Sequence, residues 1–300
     1  MDSKMITKQN GIYTLAVSLL LSSFQIKAAT DYQAYEAVCG EPTDMLSFLE
    51  RGGIATNPCV VPPRSVLISS GYQYQQLIGE GIQHNFPAAA IQLGLPGYFE
   101  VDLLLPNYIN QTVDPRIGFS QTQLIVNHVL WFNDKWVVTA SGTFIFPSGS
   151  ASFGSPNPGG GVIGILSYNF NSQLNLTGNL GITSQSAHKN NRSPKCRIYL
   201  TGNLGITSQS EPSYDGGQSY TSVNPDLILS WTKNKISLFA EIYGQSKTAP
   251  DEGSGYSTDA GVLYQVKKNI VIDLEVDQRI SGLLNGVERY YGGGITIQFN

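Results

Sequence analysis

The chain has 300 residues, of which 13% are charged, with 32 Gly, 16 Tyr and 12 Phe and a formal net charge of -4. Charge at about half the share usual in a soluble domain, together with many Gly and aromatic residues, suits a large β structure, and the acidic balance disfavours a nucleic-acid partner. No stretch approaches the roughly 18 consecutive apolar residues of a membrane helix, which excludes a helical membrane protein.

Residues 1–29 read as a cleaved signal peptide. Lys4 and Lys8 give a basic start, Ile12–Phe24 forms an apolar core too short to span a bilayer, and Ala28 and Ala29 are small cleavage residues, with Lys27 a poor neighbour for them. Removal takes away Lys4, Lys8, Lys27 and Asp2, so the mature chain is more acidic still. The other reading of this stretch is a short N-terminal anchor. Export without a membrane helix leaves two classes, a soluble exported protein or a β-barrel.

Residues 30–63 differ from the rest. They hold Cys39 and Cys59, which pair in an oxidising compartment; two free thiols are the alternative. Thr43–Arg51 predicts a short helix, capped by Thr43 and ended by Gly52 and Gly53. Pro58, Pro62 and Pro63 separate this segment from the strands.

From residue 64 the pattern is strand, connector, strand. The runs are Val66–Ile78, Pro87–Leu95, Tyr98–Leu105, Ile117–Phe132, Trp136–Phe146, Val162–Phe170, Gln173–Ser184, Thr221–Thr232, Lys235–Gly244, Tyr256–Val266, Asn269–Gly282 and Arg289–Phe299. The eleventh is the clearest. Ile270, Ile272, Leu274 and Val276 alternate with Asp273, Glu275, Asp277 and Arg279, so a strand puts every charge on one face and every aliphatic on the other. Connectors of two or three residues alternate with connectors of roughly eight or more, the segment Gly79–Gly81 being the exception. Transmembrane barrels sort their loops in this way, whereas no rule sorts the loops of a soluble sandwich by side. The fold expected is therefore all-β: an antiparallel transmembrane β-barrel of about 12 strands over residues 64–300, with a short N-terminal periplasmic segment.

LTGNLGITSQS occurs at Leu176–Ser186 and again at Leu200–Ser210, which marks residues 187–210 as a duplicated insert. The first copy follows the tight turn Asn171-Ser172, so it is expected to be the barrel strand and the second to loop outside. Cys196, within the insert, has no expected partner.

Glu100, Asp102, Glu241, Asp259, Asp273, Glu275, Asp277 and Arg279 fall on polar strand faces and are the candidate lumen lining, either as a wetted wall neutralised by Arg279 and other basic residues or as a selective pore. Tyr98, Trp131, Trp136, Trp231 and Tyr291, near strand ends, fit interfacial girdles. No base–nucleophile pair is visible. His84 falls in a connector, His128 in a strand of mixed faces and His188 in the insert, so the expectation is no enzyme, no catalytic residue, no metal and no cofactor.

The region from Arg64 onward resembles the outer-membrane transporters grouped under the MetA pathway of phenol degradation. The resemblance is carried by EVDLLLP (Glu100–Pro106), FIFPSGS (Phe144–Ser150), LSYNF (Leu166–Phe170), LTGNLG (Leu176–Gly181), LFAEIYG (Leu238–Gly244), STDAGVLYQVKKNIVIDLEV (Ser257–Val276) and YYGGGITIQF (Tyr290–Phe299). It implies an outer-membrane barrel moving small hydrophobic or aromatic compounds. Outer-membrane lipid, the barrel-assembly machinery and small-molecule solutes are its implied partners. Gly294, Ile297 and Phe299 resemble a terminal assembly signal, while Asn300 and the insert depart from the pattern. The competing reading is a closed structural barrel whose extracellular loops bind a surface partner.

Overall fold

The computed structural model describes residues 32–49, 57–79, 81–155, 157–186, 207–210, 219–248 and 253–300. The expected signal peptide, residues 1–29, and residues 187–206 of the insert, with Cys196, lie outside these.

The strands are β1 (Val66–Leu77), β2 (Ile82–Phe86), β3 (Ala90–Leu95), β4 (Phe99–Leu104), β5 (Tyr108–Gln111), β6 (Ile117–Phe119), β7 (Gln123–Phe132), β8 (Trp136–Ile145), β9 (Gly159–Asn169), β10 (Leu174–Ser186), β11 (Thr207–Ser210), β12 (Ser219–Lys233), β13 (Ile236–Gln245), β14 (Gly255–Lys267), β15 (Ile270–Ser281) and β16 (Val287–Phe299). They form one closed, 12-stranded antiparallel barrel. Its ring runs β1, β3, β4, β7, β8, β9, β10, β12, β13, β14, β15, β16, and antiparallel pairing of β16 with β1, from Val66↔Phe299 to Leu77↔Val287, completes it. Closure removes every sheet edge from the wall.

The alternating pattern explains which way each strand faces. Ile68, Leu130, Leu166, Leu180, Leu229, Ile272 and Leu274 are exposed on the outer wall, where only lipid can cover them. Alternate residues of the wall strands, among them Gln75, Gln92, Asn127, Thr139, Ser167, Asn179 and Thr296, are buried on the inner wall. Two of the short turns are held by an asparagine side chain. Asn133 Oδ1 accepts from Lys135 N and Trp136 N, both at 2.9 Å, and Asn171 Oδ1 accepts from Gln173 N and Leu174 N at 2.8 and 3.0 Å. These turns share an end of the barrel with the start of β1 and the finish of β16, the periplasmic end in an outer-membrane barrel.

Three adjacent wall strands are interrupted at one level, at residues 87–89, 105–107 and 120–122. Pro87 and Pro106 cannot donate to a ladder. The wall nevertheless continues. β2, β5 and β6 carry it outward beside β1, and Ala88 N→Gly71 O, Leu105 N→Ala89 O and Ser120 N→Asn107 O bridge the interruptions. This corrects two expectations. The connector after Leu105 contains β5, and His84 lies on β2 rather than in a connector.

Both copies of the duplicated sequence contribute to the sheet. The first copy lies in β10. From the second, Thr207–Ser210 is a strand wedged between the outer ends of β10 and β12, parallel to β10, with Thr183↔Thr207 through Ser186↔Ser210 pairing like with like. These four residues therefore join the sheet instead of looping free of it.

Candidate functional site: the lumen and the segment that fills its periplasmic end

The N-terminal segment does not lie beside the barrel. It enters the barrel's periplasmic end. Residues 32–39 form a helix that stops at Gly40, whose φ of 84° is open to glycine, and whose N–H bonds Glu36 O at 2.8 Å. The helix expected over Thr43–Arg51 is only a single 3-10 turn at Met45–Ser47. Met45, Leu46, Phe48 and Leu49 are all buried there, so tertiary packing overrides the helix propensity of the stretch. Arg51, Gly52 and Gly53 lie outside the described residues.

Cys39 and Cys59 form a disulfide with Cα atoms 5.6 Å apart, which ties the helix to the limb that leads into β1. Tyr35, Met45, Leu46, Phe48, Leu49, Val60 and Val61 then make one apolar cluster with Leu67 of β1, Val129 of β7, Val137 of β8, Ile228 of β12, Phe239 of β13, Leu263 of β14 and Val271 of β15. These barrel residues come from strands spread around the ring. The segment is therefore a plug seated in the mouth. Tyr98, expected in a girdle, turns inward and stacks on Tyr32 at 6.1 Å, with Phe132 edge-on to it at 5.5 Å. Trp131, Trp136, Trp231 and Tyr291 stay exposed on the outer wall.

Polar contacts fix the plug's position. Val60 N donates to Tyr35 Oη at 2.7 Å, and burial, the largest cause, holds that phenol well above its ordinary pKa, so it remains a neutral partner. Val61 N donates to Glu100 Oε2, and Thr139 Oγ1 donates to Pro58 O. Gln298 Nε2 reaches Pro42 O at 3.0 Å and Gln265 Nε2 reaches Thr43 O at 3.2 Å. The limb passes so close to β3 that a Cβ on Gly94 would stand 2.0 Å from the Pro62 carbonyl oxygen. Glycine is required there.

All eight predicted lumen residues lie on the inner face, in two groups. Glu100, 1% exposed, and Asp102 stand on β4. Gln92 Nε2 donates to Glu100 at 3.1 Å and Asn127 Nδ2 to Asp102 at 3.0 Å. Glu100 is thus a plug anchor as well as a wall residue. Across β3, β1 and β16, the second group occupies β13–β15 above the plug. Glu241 pairs directly with Asp259, and Asp259 directly with Asp277. Asp273 and Glu275 sit at the next inward positions of β15. Like charges placed opposite each other repel. Two phenols soften this: Tyr243 Oη donates to Asp277 Oδ2 at 2.7 Å, and Tyr290 Oη donates to Glu275. Arg279 does not neutralise the row. It pairs with Glu288 at 2.7 Å and donates to Gly282 O.

Asp226 of β12 extends the row and accepts from Asn179 Nδ2 at 3.1 Å. Its alternation with Leu227 was a sufficient sequence signal, obscured by Pro225. Phe153, from the connector after β8, was not legible at all. It folds onto the inner wall and packs with Leu77, Ile109, Val287 and Tyr290 towards the extracellular end.

Of the histidines, His84 and His128 face outward. His128 stacks on Phe99 at 3.8 Å. Among the described residues no group of His, Cys, Asp and Glu is arranged to hold a metal ion. The arrangement is thus a closed wall around an acidic, amide-rich interior with an apolar plug.

Solved structures match this fold. An outer membrane channel from Pseudomonas putida F1 aligns with a TM-score of 0.59 at 8% identity, covering 81% of this chain and 98% of that one. A NanC porin aligns at 0.50 with 12% identity, covering 77% and 98%. No curated protein sequence matches the chain. The model of one sequence family, described as "Putative MetA-pathway of phenol degradation", matches residues 75–299, three quarters of the chain and nearly the whole barrel, and the chain belongs to that family.

Proposed function

We propose that the chain is a passive outer-membrane channel for small solutes, hydrophobic or aromatic ones among them, without catalysis. One observation carries this reading: a closed barrel whose outer wall is apolar and whose inner wall is polar and acidic between the plug and the apolar cluster around Phe153. Such a wall suits a wetted passage. The family description and the likeness in fold to channels support it. Outer-membrane lipid surrounds the wall in this reading, and the assembly machinery inserts it. The acidic row favours cations when water fills the lumen, as acidic rings do in other pores.

The seated plug favours a second reading, a closed structural barrel whose outer loops bind a partner. Planar-bilayer recording separates the two. The full mature protein, and the triple variant Asp273→Asn, Glu275→Gln, Asp277→Asn, are compared in a salt gradient. The expected result is a conducting parent with a cation-favouring reversal potential that moves towards zero in the variant. A conducting parent with unchanged selectivity removes these residues from the pore. A parent without conductance or solute uptake, even after the plug is released, supports the closed barrel.

A further inference from the structure

The outer wall carries one connected polar group set on β2, β1, β16 and β15. In register, Gln76 stands opposite Arg289 and Arg289 opposite Gln278, while Tyr74 stands opposite both Tyr291 and His84. Arg289 Nε donates to Gln278 Oε1 at 2.6 Å, and Nη1 donates to Tyr291 Oη at 3.4 Å. The Tyr74 ring lies 6.2 Å from Tyr291 and 5.6 Å from His84, and the Tyr72 hydroxyl meets His84 Nδ1.

Three features give this patch a direction. First, its height: Gln76 stands ten residues along β1 from Val66, about 25 Å above the periplasmic rim for a tilted strand, which is the outer headgroup level. Second, its charge. On the described strands, Lys233 and Lys267 sit at the periplasmic turns and Arg279 points inward, so Arg289 is the one cation on the outer wall at that height. The side chains bonded to it, Gln278 and Tyr291, are neutral. A guanidinium held in place by two neutral partners keeps further N–H groups for an anion. Third, its surroundings: Ile272, Leu274 and Ile295 are exposed on the same wall below it, a surface for acyl chains.

We propose that this patch binds the phosphate of a phosphorylated glycolipid in the outer leaflet. Arg289 takes the phosphate oxygens, His84 adds a second donor, the tyrosines cover the sugar, and the aliphatic wall below takes the acyl chains. The proposal rests on the outer-membrane reading of the barrel. The site is separate from the lumen, so binding leaves conductance unchanged.

The test uses the full mature protein in detergent and native mass spectrometry with three probes: bisphosphorylated lipid A, the same lipid dephosphorylated, and inorganic phosphate. Arg289→Gln is expected to weaken binding of the bisphosphorylated lipid about tenfold, the effect of losing one charge-assisted contact. His84→Ala should weaken it by less, and Arg116→Gln, on an outer connector, should leave it unaltered. If Arg289→Gln fails to assemble, as judged by heat-modifiable gel mobility, His84→Ala carries the test. Equal binding of the dephosphorylated lipid, or parental binding by Arg289→Gln and His84→Ala, overturns the site. Displacement of the lipid by an equal concentration of inorganic phosphate makes it a free-anion site and overturns the lipid assignment. Membrane fractionation is read separately. Protein in the inner-membrane fraction would sink the outer-membrane reading while the binding result stands on its own.

Discussion

Phe48→Ala tests whether the plug controls the pore. Phe48 is 2% exposed and belongs to the apolar cluster that seats the N-terminal segment against the barrel. Truncating a buried Phe to Ala costs about 3–5 kcal/mol, the lost transfer energy plus the cavity. In the released segment residue 48 faces water in either form, so this cost falls on the seated state. A loss near 4 kcal/mol changes the seated-to-released ratio by roughly a thousandfold. The barrel itself keeps its closed hydrogen-bonded ring, and its heat-modifiable mobility should be that of the parent. The Cys39–Cys59 disulfide holds both limbs of the plug together, so release should be concerted. In planar bilayers the variant should open more often, or conduct more, than the parent. Limited proteolysis reports release independently, since a seated segment is protected. If the variant's segment becomes cleavable while conductance stays at the parental level, the reasoning fails: the plug leaves and the passage does not care.

Gly94→Ala should act on the same equilibrium from the barrel side. Its Cβ meets the Pro62 carbonyl at 2.0 Å, and overpacking of that kind costs about 1–3 kcal/mol, so the segment should again become protease-sensitive in an assembled barrel. Thiol labelling of the non-reduced, denatured protein should modify one of the 3 cysteines, and labelling of all of them would reject the disulfide; by loop-closure entropy that bond should stabilise the plug by ~3 kcal/mol. Deletion of residues 187–210 removes β11 and leaves β10 paired with β12 over Leu174–Ile182, so the variant should assemble as well as the parent by heat-modifiable mobility; failure would give β11 a necessary part in the wall.

The period-two alternation determined the barrel wall. Every spanning strand must show one face to lipid and one to the lumen, so Ile272 and Leu274 against Asp273 and Glu275 reported their sides without any tertiary information. Sorted connectors fixed the strand count and the end at which the chain starts and finishes. Asn133 and Asn171 marked turns because an asparagine carbonyl can bond the backbone two and three residues on. Alternation within a strand, however, says nothing about which strands become neighbours. That Glu241, Asp259 and Asp277 form one row, that Glu100 stands apart from them holding Val61 N–H, and that Arg279 spends its charge on Glu288 were decided by register around the closed ring. The plug was least legible. Its apolar residues follow no period, because they are matched to the inward side chains of several strands, and a surface assembled from distant parts of the chain leaves no local pattern. The same holds for Phe153, whose place in a connector rich in Gly, Ser and Pro reads as solvent-facing until the inner wall supplies Leu77, Ile109 and Val287 to cover it.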